Sequence, residues 1–185
     1  MNRYHRRRCR SPAWSAFMAD TVLPRALDGV ALGPRVLELG PGYGASTRPL
    51  AALAPSLTAL EFDPLLADRL RTQLRSVRVV TGDATSMAFG AGSFSAVVCF
   101  TMLHHLPCPT AQDRLFAEAA RVLRPGGVFA GSDSIASPGL RGFHHDDVYV
   151  PVDPTGLPAR LEAAGFTDVE VSVPEPEWFT FQARA

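Results

Sequence analysis

The stretch RVLELGPGYG, residues 35–44, decides the fold of this chain. Its first half, 35–39, is a short apolar run typical of a buried β-strand, and three glycines follow at alternate positions. Ser46 and Thr47 then offer hydroxyls that can cap a helix predicted over about 48–54. A glycine turn between a strand and a helix lets the backbone come close to a ligand and presents free N–H groups to it. The same turn would also serve tight packing of strand against helix, so it needs support from the rest of the sequence.

Outward from this stretch, strand-like and helix-like segments alternate along the chain. Short apolar runs predict strands at 35–39, 57–61, 77–81, 94–100, 127–131, 168–173 and 178–183. This alternation predicts a mostly parallel sheet. The last two strands are joined only by a Pro-rich turn, which is too short for a parallel crossover, so they must be antiparallel. The sequence therefore predicts an α/β fold: a single doubly wound, mostly parallel seven-stranded sheet with helices on both faces and an antiparallel last strand.

The length of 185 residues fits a single domain, which we expect over 1–185. Residues 1–10 carry five arginines and no acid, and we expect 1–12 to form a disordered Arg-rich tail. The segment 132–154 has no periodicity and is long for a connection. Such a segment is typical of a functional loop, and we expect it on the substrate side of the fold.

Composition excludes several classes of protein. The chain is 46 % hydrophobic and carries 18 basic against 18 acidic residues, which argues against disorder and against a globally basic nucleic-acid binder. Every basic residue is an arginine, so lysine nucleophiles and Schiff bases are excluded. The apolar runs are far shorter than the roughly 18 residues of a membrane span. Three cysteines, Cys9, Cys99 and Cys108, show no CxxC spacing and fit a reducing, cytoplasmic compartment.

Carboxylates follow two more strands at the edge where parallel sheets bind ligands. Glu61 ends the second strand and Asp83 follows the third. A carboxylate at a strand tip can accept both hydroxyls of a ribose, so these acids and the glycine turn outline a nucleoside site. The pattern Gly-x-Gly-x-x-Ala at 40–45 leaves NAD open as the ligand. Glu38, two residues before the first glycine, suits a cationic ligand better than a pyrophosphate and favours S-adenosylmethionine.

These pieces together resemble a known family. The matching stretches are VLELGPGYG (36–44), LEFDP (60–64), GDA (82–84), SFSAVVCFTMLHHL (93–106) and RVLRPGGVF (121–129). In this order and spacing, the sequence resembles the Rossmann-like (class I) S-adenosylmethionine-dependent methyltransferases. It is most similar to small-molecule methyltransferases of the ubiquinone/menaquinone-biosynthesis type, and the likeness covers about residues 35–131.

The resemblance implies a set of cofactor-binding residues. The loop under the methionine part of the cofactor would comprise Glu38, Gly40, Gly42 and Gly44. The nucleoside and sulfonium would meet Glu61 at the ribose hydroxyls, Phe62 beside the adenine, Asp83 and Ala84 at the adenine amine, and Thr101 on the sulfonium side.

Two pairs of histidines are candidates for chemistry on the acceptor. His104 and His105 follow the fourth strand directly, where a histidine can act as a general base, although the pair could equally shape the loop. The sequence HHDD at 144–147 could clamp the acceptor, complete a metal site or form a solvated lid. We expect His104 and His105 to be the catalytic residues, and we expect no metal ligands.

The sequence therefore predicts S-adenosylmethionine-dependent methyl transfer to a small-molecule acceptor, by in-line displacement with a possible histidine base. Two alternatives stay open. A non-catalytic module of the same fold would bind the cofactor or a partner without turnover. An NAD-dependent oxidoreductase would use the same glycine turn, but the Tyr-x-x-x-Lys pair that could serve it is absent from a chain without lysine. We expect a cytoplasmic protein that does not act on nucleic acid.

Overall fold

A computed structural model describes residues 2–185 of the chain. Seven strands form one sheet in the order β3-β2-β1-β4-β5-β7-β6. The strands are β1 Arg35–Leu39, β2 Ser56–Glu61, β3 Arg78–Thr81, β4 Phe94–Phe100, β5 Leu123–Ser134, β6 Thr167–Glu175 and β7 Trp178–Arg184. Strands β1 to β5 pair in parallel, and β7 runs antiparallel to both β5 and β6. The predicted fold class is therefore confirmed, including the antiparallel last strand.

Within residues 2–185, eight α-helices accompany the sheet: α1 Arg3–Cys9, α2 Pro12–Phe17, α3 Leu23–Ala26, α4 Thr47–Leu53, α5 Pro64–Gln73, α6 Pro109–Val122, α7 Pro138–Phe143 and α8 Leu157–Ala163. A π-helical turn, Met18–Val22, joins α2 to α3, and Pro24 lies in the first turn of α3. A 3₁₀ turn, Leu103–His105, follows β4. In residues 2–185, no helix is long and apolar enough to cross a membrane.

The core consists of two apolar clusters, one on each face of the sheet. One cluster includes Leu115 of α6 and Leu161 of α8, and the other includes Leu50 of α4 and Leu70 of α5. Strand β4 is buried along its whole length because helices cover both of its faces. This double cover holds the carboxyl ends of β1, β2, β3 and β4 at one edge, where the candidate site lies.

The N-terminal segment differs from the expected disordered tail. Residues 3–9 form helix α1, whose N-cap residue Asn2 accepts a hydrogen bond from the His5 backbone N–H at 2.9 Å. The Asn2 side chain also donates to the carbonyl of Phe143 at 2.7 Å, and His5 is only 5 % exposed. These contacts with a segment about 140 residues away in the chain dock the helix, and a local sequence pattern does not reveal them.

Candidate active site

A cavity of about 1350 Å³ opens at the carboxyl ends of the parallel strands. Its walls come from the loops after β1, β2, β3 and β4, from the N-terminal helices and from the segment after β5. Most of the predicted site residues line it: Gly40, Gly42, Glu61, Phe62, Asp83, Ala84, Thr101, His104 and His105. Because pockets for one drug-sized ligand measure roughly 300–1,000 Å³, this cavity has room for a cofactor and a second molecule.

Glu61 and the glycine loop form one wall of this cavity. The Glu61 Oε2 atom accepts a hydrogen bond from the Gly42 backbone N–H at 2.8 Å, and Oε1 accepts one from the Asp63 N–H at 2.9 Å. Burial raises the pKa of the Glu61 carboxyl, although these two donors oppose the shift. Each carboxylate oxygen keeps a further lone pair, so Glu61 can still accept hydrogen bonds from a ligand's hydroxyls.

Gly42 needs to be glycine because of both its backbone and its position. Its φ is +56°, a conformation that residues with a Cβ rarely adopt. A Cβ built there meets no atom within 4 Å, because it would point into open space in a loop that lines the cavity. A side chain at residue 42 would therefore extend into open space beside a loop that lines the cavity.

Glu38 and Gly44 do not line the cavity. Glu38 lies below the glycine loop, 1 % exposed, and its Oε1 accepts a hydrogen bond from the Ser46 hydroxyl at 2.5 Å. Its Oε2 has no hydrogen-bond partner among residues 2–185. Burial raises the pKa of Glu38 to about 7, with the neighbouring hydroxyl opposing the shift. Ser46 does line the cavity, so Glu38 can act on a ligand through this hydroxyl.

The remaining predicted cofactor residues surround the open part of the cavity. Phe62 is 74 % exposed, which leaves its ring free to stack on a planar group. Asp83 accepts hydrogen bonds from the backbone N–H and the hydroxyl of Thr85, at 2.7 and 2.8 Å, which fixes the turn after β3. Thr101 has a φ of +50°, a strained value for a residue other than glycine, and its N–H donates to Ser132.

His104 has a buried acidic partner that the sequence analysis did not identify. Its Nδ1 is hydrogen bonded to Asp133 Oδ1, and its backbone N–H donates to Asp133 Oδ2 at 3.2 Å. Burial would raise the pKa of Asp133, but its interaction with His104 holds it below its ordinary value. A carboxylate on Nδ1 fixes the ring orientation and the tautomer, so Nε2 is available as a base. Asp133 could have been identified from the GSDS sequence at 131–134, because this stretch places an acid at the end of a strand, at the ligand-binding edge of the sheet.

Three further histidines lie close together beside His104 and Asp133. His5 of α1, His105 after β4 and His144 after α7 place one ring nitrogen each within 4.8 Å of one another. Burial lowers the pKa of His5 to about 4 and that of His105 to about 3, and it lowers the pKa of His144 as well. All three rings are therefore neutral near neutral pH. His5 could not be identified from the sequence because the tail shows no periodicity.

The HHDD segment divides between the site and solvent. His144 is 4 % exposed and lines the cavity, and Asp147 Oδ2 lies 2.9 Å from His5 Nδ1. Burial would raise the pKa of Asp147, but the hydrogen bond from His5 helps to lower it to about 2. His145 and Asp146 point outward, and both side chains are 82 % exposed. The first and last members of this segment therefore contribute to the site, and the two between them do not.

Comparison with known proteins identifies the family. Residues 37–131 match the model of the methyltransferase domain family, and the chain belongs to that family. It is 34 % identical over 161 residues to the ubiquinone biosynthesis O-methyltransferase of Xanthomonas axonopodis pv. citri, a match that covers 76 % of this chain. The match covers 65 % of that relative's length, so the chain spans slightly less than two thirds of it.

Solved structures show the same fold. An S-adenosylmethionine-dependent methyltransferase from Aquifex aeolicus superimposes with a TM-score of 0.76 at 17 % identity, over 100 % of this chain and 98 % of that one. A Haemonchus contortus phosphoethanolamine N-methyltransferase 2, solved with phosphomonomethylethanolamine and S-adenosylhomocysteine, gives a TM-score of 0.73 at 17 % identity, over 90 % and 52 % of the two chains. The predicted membership of the S-adenosylmethionine-dependent methyltransferase class is confirmed.

Proposed function

We propose that this chain binds S-adenosylmethionine in the cavity at the strand ends and transfers its methyl group to a small-molecule acceptor. The observation that carries the proposal is the hydrogen bond between Glu61 Oε2 and the Gly42 N–H, 2.8 Å long, at the wall of this cavity. It joins an acid at a strand tip to a glycine turn, which is the combination that a ribose and its attached chain require.

The donor set of the cavity fits this cofactor. Glu61 would accept hydrogen bonds from the ribose hydroxyls, the exposed ring of Phe62 would lie beside the adenine, and Asp83 with the Ala84 N–H would meet the adenine edge. The open space at Gly42 would admit the methionine part. Glu38 would act on the ammonium group through Ser46, whose hydroxyl it holds at 2.5 Å.

Bound S-adenosylmethionine supplies a methyl group on a sulfonium; the acceptor displaces it in line, and S-adenosylhomocysteine leaves with the electron pair of the broken S–C bond. Thr101, directly after β4, would line the sulfonium side. His104 would take the proton that a hydroxyl acceptor loses, with Asp133 orienting its ring. His105 was expected to share this role, but it has no such carboxylate partner among its described hydrogen bonds.

The side chains that line the part of the cavity near the histidines favour a partly apolar small molecule as the acceptor. Trp14, Phe17, Leu140 and Phe143 line it together with the histidines. The zero formal net charge of the chain does not favour a nucleic acid as the acceptor. The curated relative named above is a ubiquinone biosynthesis O-methyltransferase, which by name acts on oxygen in a small molecule. We infer a cytoplasmic location from the cysteines, since Cys9, Cys99 and Cys108 are all free thiols in residues 2–185.

Calorimetric titration with S-adenosylhomocysteine, run beside NAD, tests the proposal. We expect stoichiometric binding of S-adenosylhomocysteine in the micromolar range and no binding of NAD. Transfer of a radiolabelled methyl group to a panel of small phenols and amines would then identify the acceptor class. Binding of NAD alone, or of neither ligand, would overturn the cofactor assignment. Cofactor binding without transfer to any acceptor, in a chain whose fold is intact, would favour the non-catalytic alternative.

A further inference from the structure

Three histidines from distant parts of the chain converge on one point of the cavity wall. His5 belongs to α1, His105 to the 3₁₀ turn after β4, and His144 to the segment after α7. The His5 ring stacks on that of His105 with centroids 4.8 Å apart, and it meets the edge of His144 at 4.7 Å. One ring nitrogen from each lies within 4.8 Å of the other two. Side chains from three separate elements thus bring one ring nitrogen each close to the others.

In two of the three rings a hydrogen bond occupies Nδ1 and leaves Nε2 as the nitrogen available to a metal. His5 Nδ1 donates to Asp147 Oδ2 at 2.9 Å, and His144 Nδ1 donates to the Leu140 carbonyl at 2.8 Å. Nδ1 carries the proton in each case, so Nε2 has a free lone pair. The Nε2 atom of His144 is buried and has no hydrogen-bond partner among residues 2–185. Partners of this kind, a carboxylate and a backbone carbonyl, are those that metal-bound histidines use.

We propose that His5, His105 and His144 form a binding site for a divalent transition metal, with zinc as the first candidate, and that its fourth coordination position faces the acceptor side of the cavity. All three residues line that cavity. Three imidazoles with one open position are the ligand set of many reactive zinc sites. In a zinc complex with N–metal bonds of about 2.0–2.1 Å, ligand nitrogens lie about 3.4 Å apart, so the three nitrogens would move closer together when the metal binds.

The open position assigns a chemical class to the ligand on that side. A metal held by three neutral imidazoles keeps its positive charge and stabilises an anionic oxygen or sulfur in the fourth position. An acceptor bound there through a hydroxyl or thiol would release its proton more readily. This role in methyl transfer rests on the proposed function, whereas metal binding itself does not.

The first experiment measures zinc binding to the full chain, prepared without a polyhistidine tag. Equilibrium dialysis against buffered Zn²⁺ is expected to give one metal per chain. His5→Phe and His144→Phe keep the ring volume and should each weaken binding by about tenfold or more. His145→Ala is the matched control, because the His145 side chain is 82 % exposed and outside the cluster. The proposed site would be overturned if the parent chain did not bind stoichiometric zinc, or if all the variants bound zinc with the same affinity as the parent.

A second pair of variants keeps the test decisive if a ligand substitution disturbs folding. Asp147→Asn removes the charge that orients His5 and should weaken zinc binding by about tenfold to a hundredfold. Asp146→Asn changes an adjacent carboxylate that is 82 % exposed and should leave zinc affinity unchanged. Circular dichroism on each variant checks that the fold is retained. Equal affinities in these two variants would remove Asp147 from the site and contradict the proposed geometry.

Cobalt substitution tests the open position. The Co²⁺ form of a site with three histidines should show visible d–d absorption, and addition of 2-mercaptoethanol should shift this spectrum as the thiolate enters the fourth position. An unchanged spectrum would show a closed site and overturn the assignment to the acceptor. The S-adenosylhomocysteine titration separates the two proposals. A chain that binds zinc but not S-adenosylhomocysteine would support the metal site and contradict the proposed function. A chain that binds S-adenosylhomocysteine but not zinc would support the proposed function and contradict the metal site.

Discussion

Glu61 at the end of β2 accepts a hydrogen bond from the backbone N–H of Gly42 at 2.8 Å, across the mouth of the cavity. Its other oxygen accepts from the Asp63 N–H, so one carboxylate braces both the glycine loop and the start of α5. The residue proposed to hold the ribose therefore also fixes the loop proposed to hold the methionine part. A change at Glu61 should affect ligand binding more strongly than the loss of one contact would suggest.

Replacing Glu61 with glutamine tests this double role. The amide keeps the size of the side chain but offers one acceptor oxygen where the carboxylate offers two. Because hydrogen bonds to charged groups contribute about 1.5–3 kcal/mol, we expect S-adenosylhomocysteine affinity to fall by about tenfold to a hundredfold in calorimetric titration. Glu162→Gln, at an exposed position of α8, is the control and should bind like the parent chain. Unchanged affinity in Glu61→Gln would refute its role at the ribose.

Gly42 and Gly29 form a matched pair for a second test. Both have a positive φ, +56° and +69°, and a Cβ built at either meets no atom within 4 Å, but only Gly42 lines the cavity. Alanine should cost each position about 1–2 kcal/mol of unfolding free energy, because the left-handed backbone is strained with a side chain. Only Gly42→Ala should also weaken S-adenosylhomocysteine binding. Urea unfolding and titration measure the two effects, and equal binding by the two variants would place the ligand elsewhere.

Most of the site residues predicted from the sequence line the cavity, because strand ends can be recognised from apolar runs. Glu61 and Asp83 lie where two such runs stop, and parallel strands bring their carboxyl ends to one edge of the sheet. Glu38 was less predictable. The run that contains it is buried along nearly its whole length, and the side chain points beneath the loop, where Ser46 separates it from the cavity.

Two residues of the site escaped the sequence analysis for different physical reasons. Asp133 fell in the predicted loop 132–154, but β5 continues to Ser134 because it pairs with β7 over its last residues. His5 fell in the expected disordered tail, and contacts with His105 and with the segment around Phe143 and Asp147 hold it in place. In both cases the deciding contacts join residues that are far apart in sequence, and no local periodicity encodes them.

Asp133 should contribute strongly to stability through its pairing with His104. The carboxylate is completely buried and accepts hydrogen bonds from both the ring and the backbone N–H of His104. Hydrogen bonds to a charged group contribute about 1.5–3 kcal/mol each, so Asp133→Asn, which keeps one acceptor oxygen, should lose about 3 kcal/mol of unfolding free energy. Asp113→Asn removes a half-exposed partner of Arg160 and should cost less than about 1 kcal/mol. Similar urea midpoints for the two variants would contradict the importance of the buried pair.

Glu38 should make the stability of the ligand-free chain depend on pH. Burial raises its pKa from 4.5 to about 7, so between these values the folded chain binds a proton that the unfolded chain releases. Stability from this group is therefore fully present below about pH 4.5 and is lost as pH rises towards about 7. Glu38→Gln keeps an acceptor for the Ser46 hydroxyl and removes the titration. The unfolding free energy of the parent chain relative to Glu38→Gln should fall by about 2.5 kcal/mol between about pH 5 and pH 8. Urea unfolding at both pH values measures this difference, with Glu162→Gln as an exposed control that should follow the parent chain. If the unfolding free energies of the parent and Glu38→Gln change in parallel with pH, Glu38 is already ionised in the folded chain at pH 5. The prediction that it holds a buried proton would then be wrong.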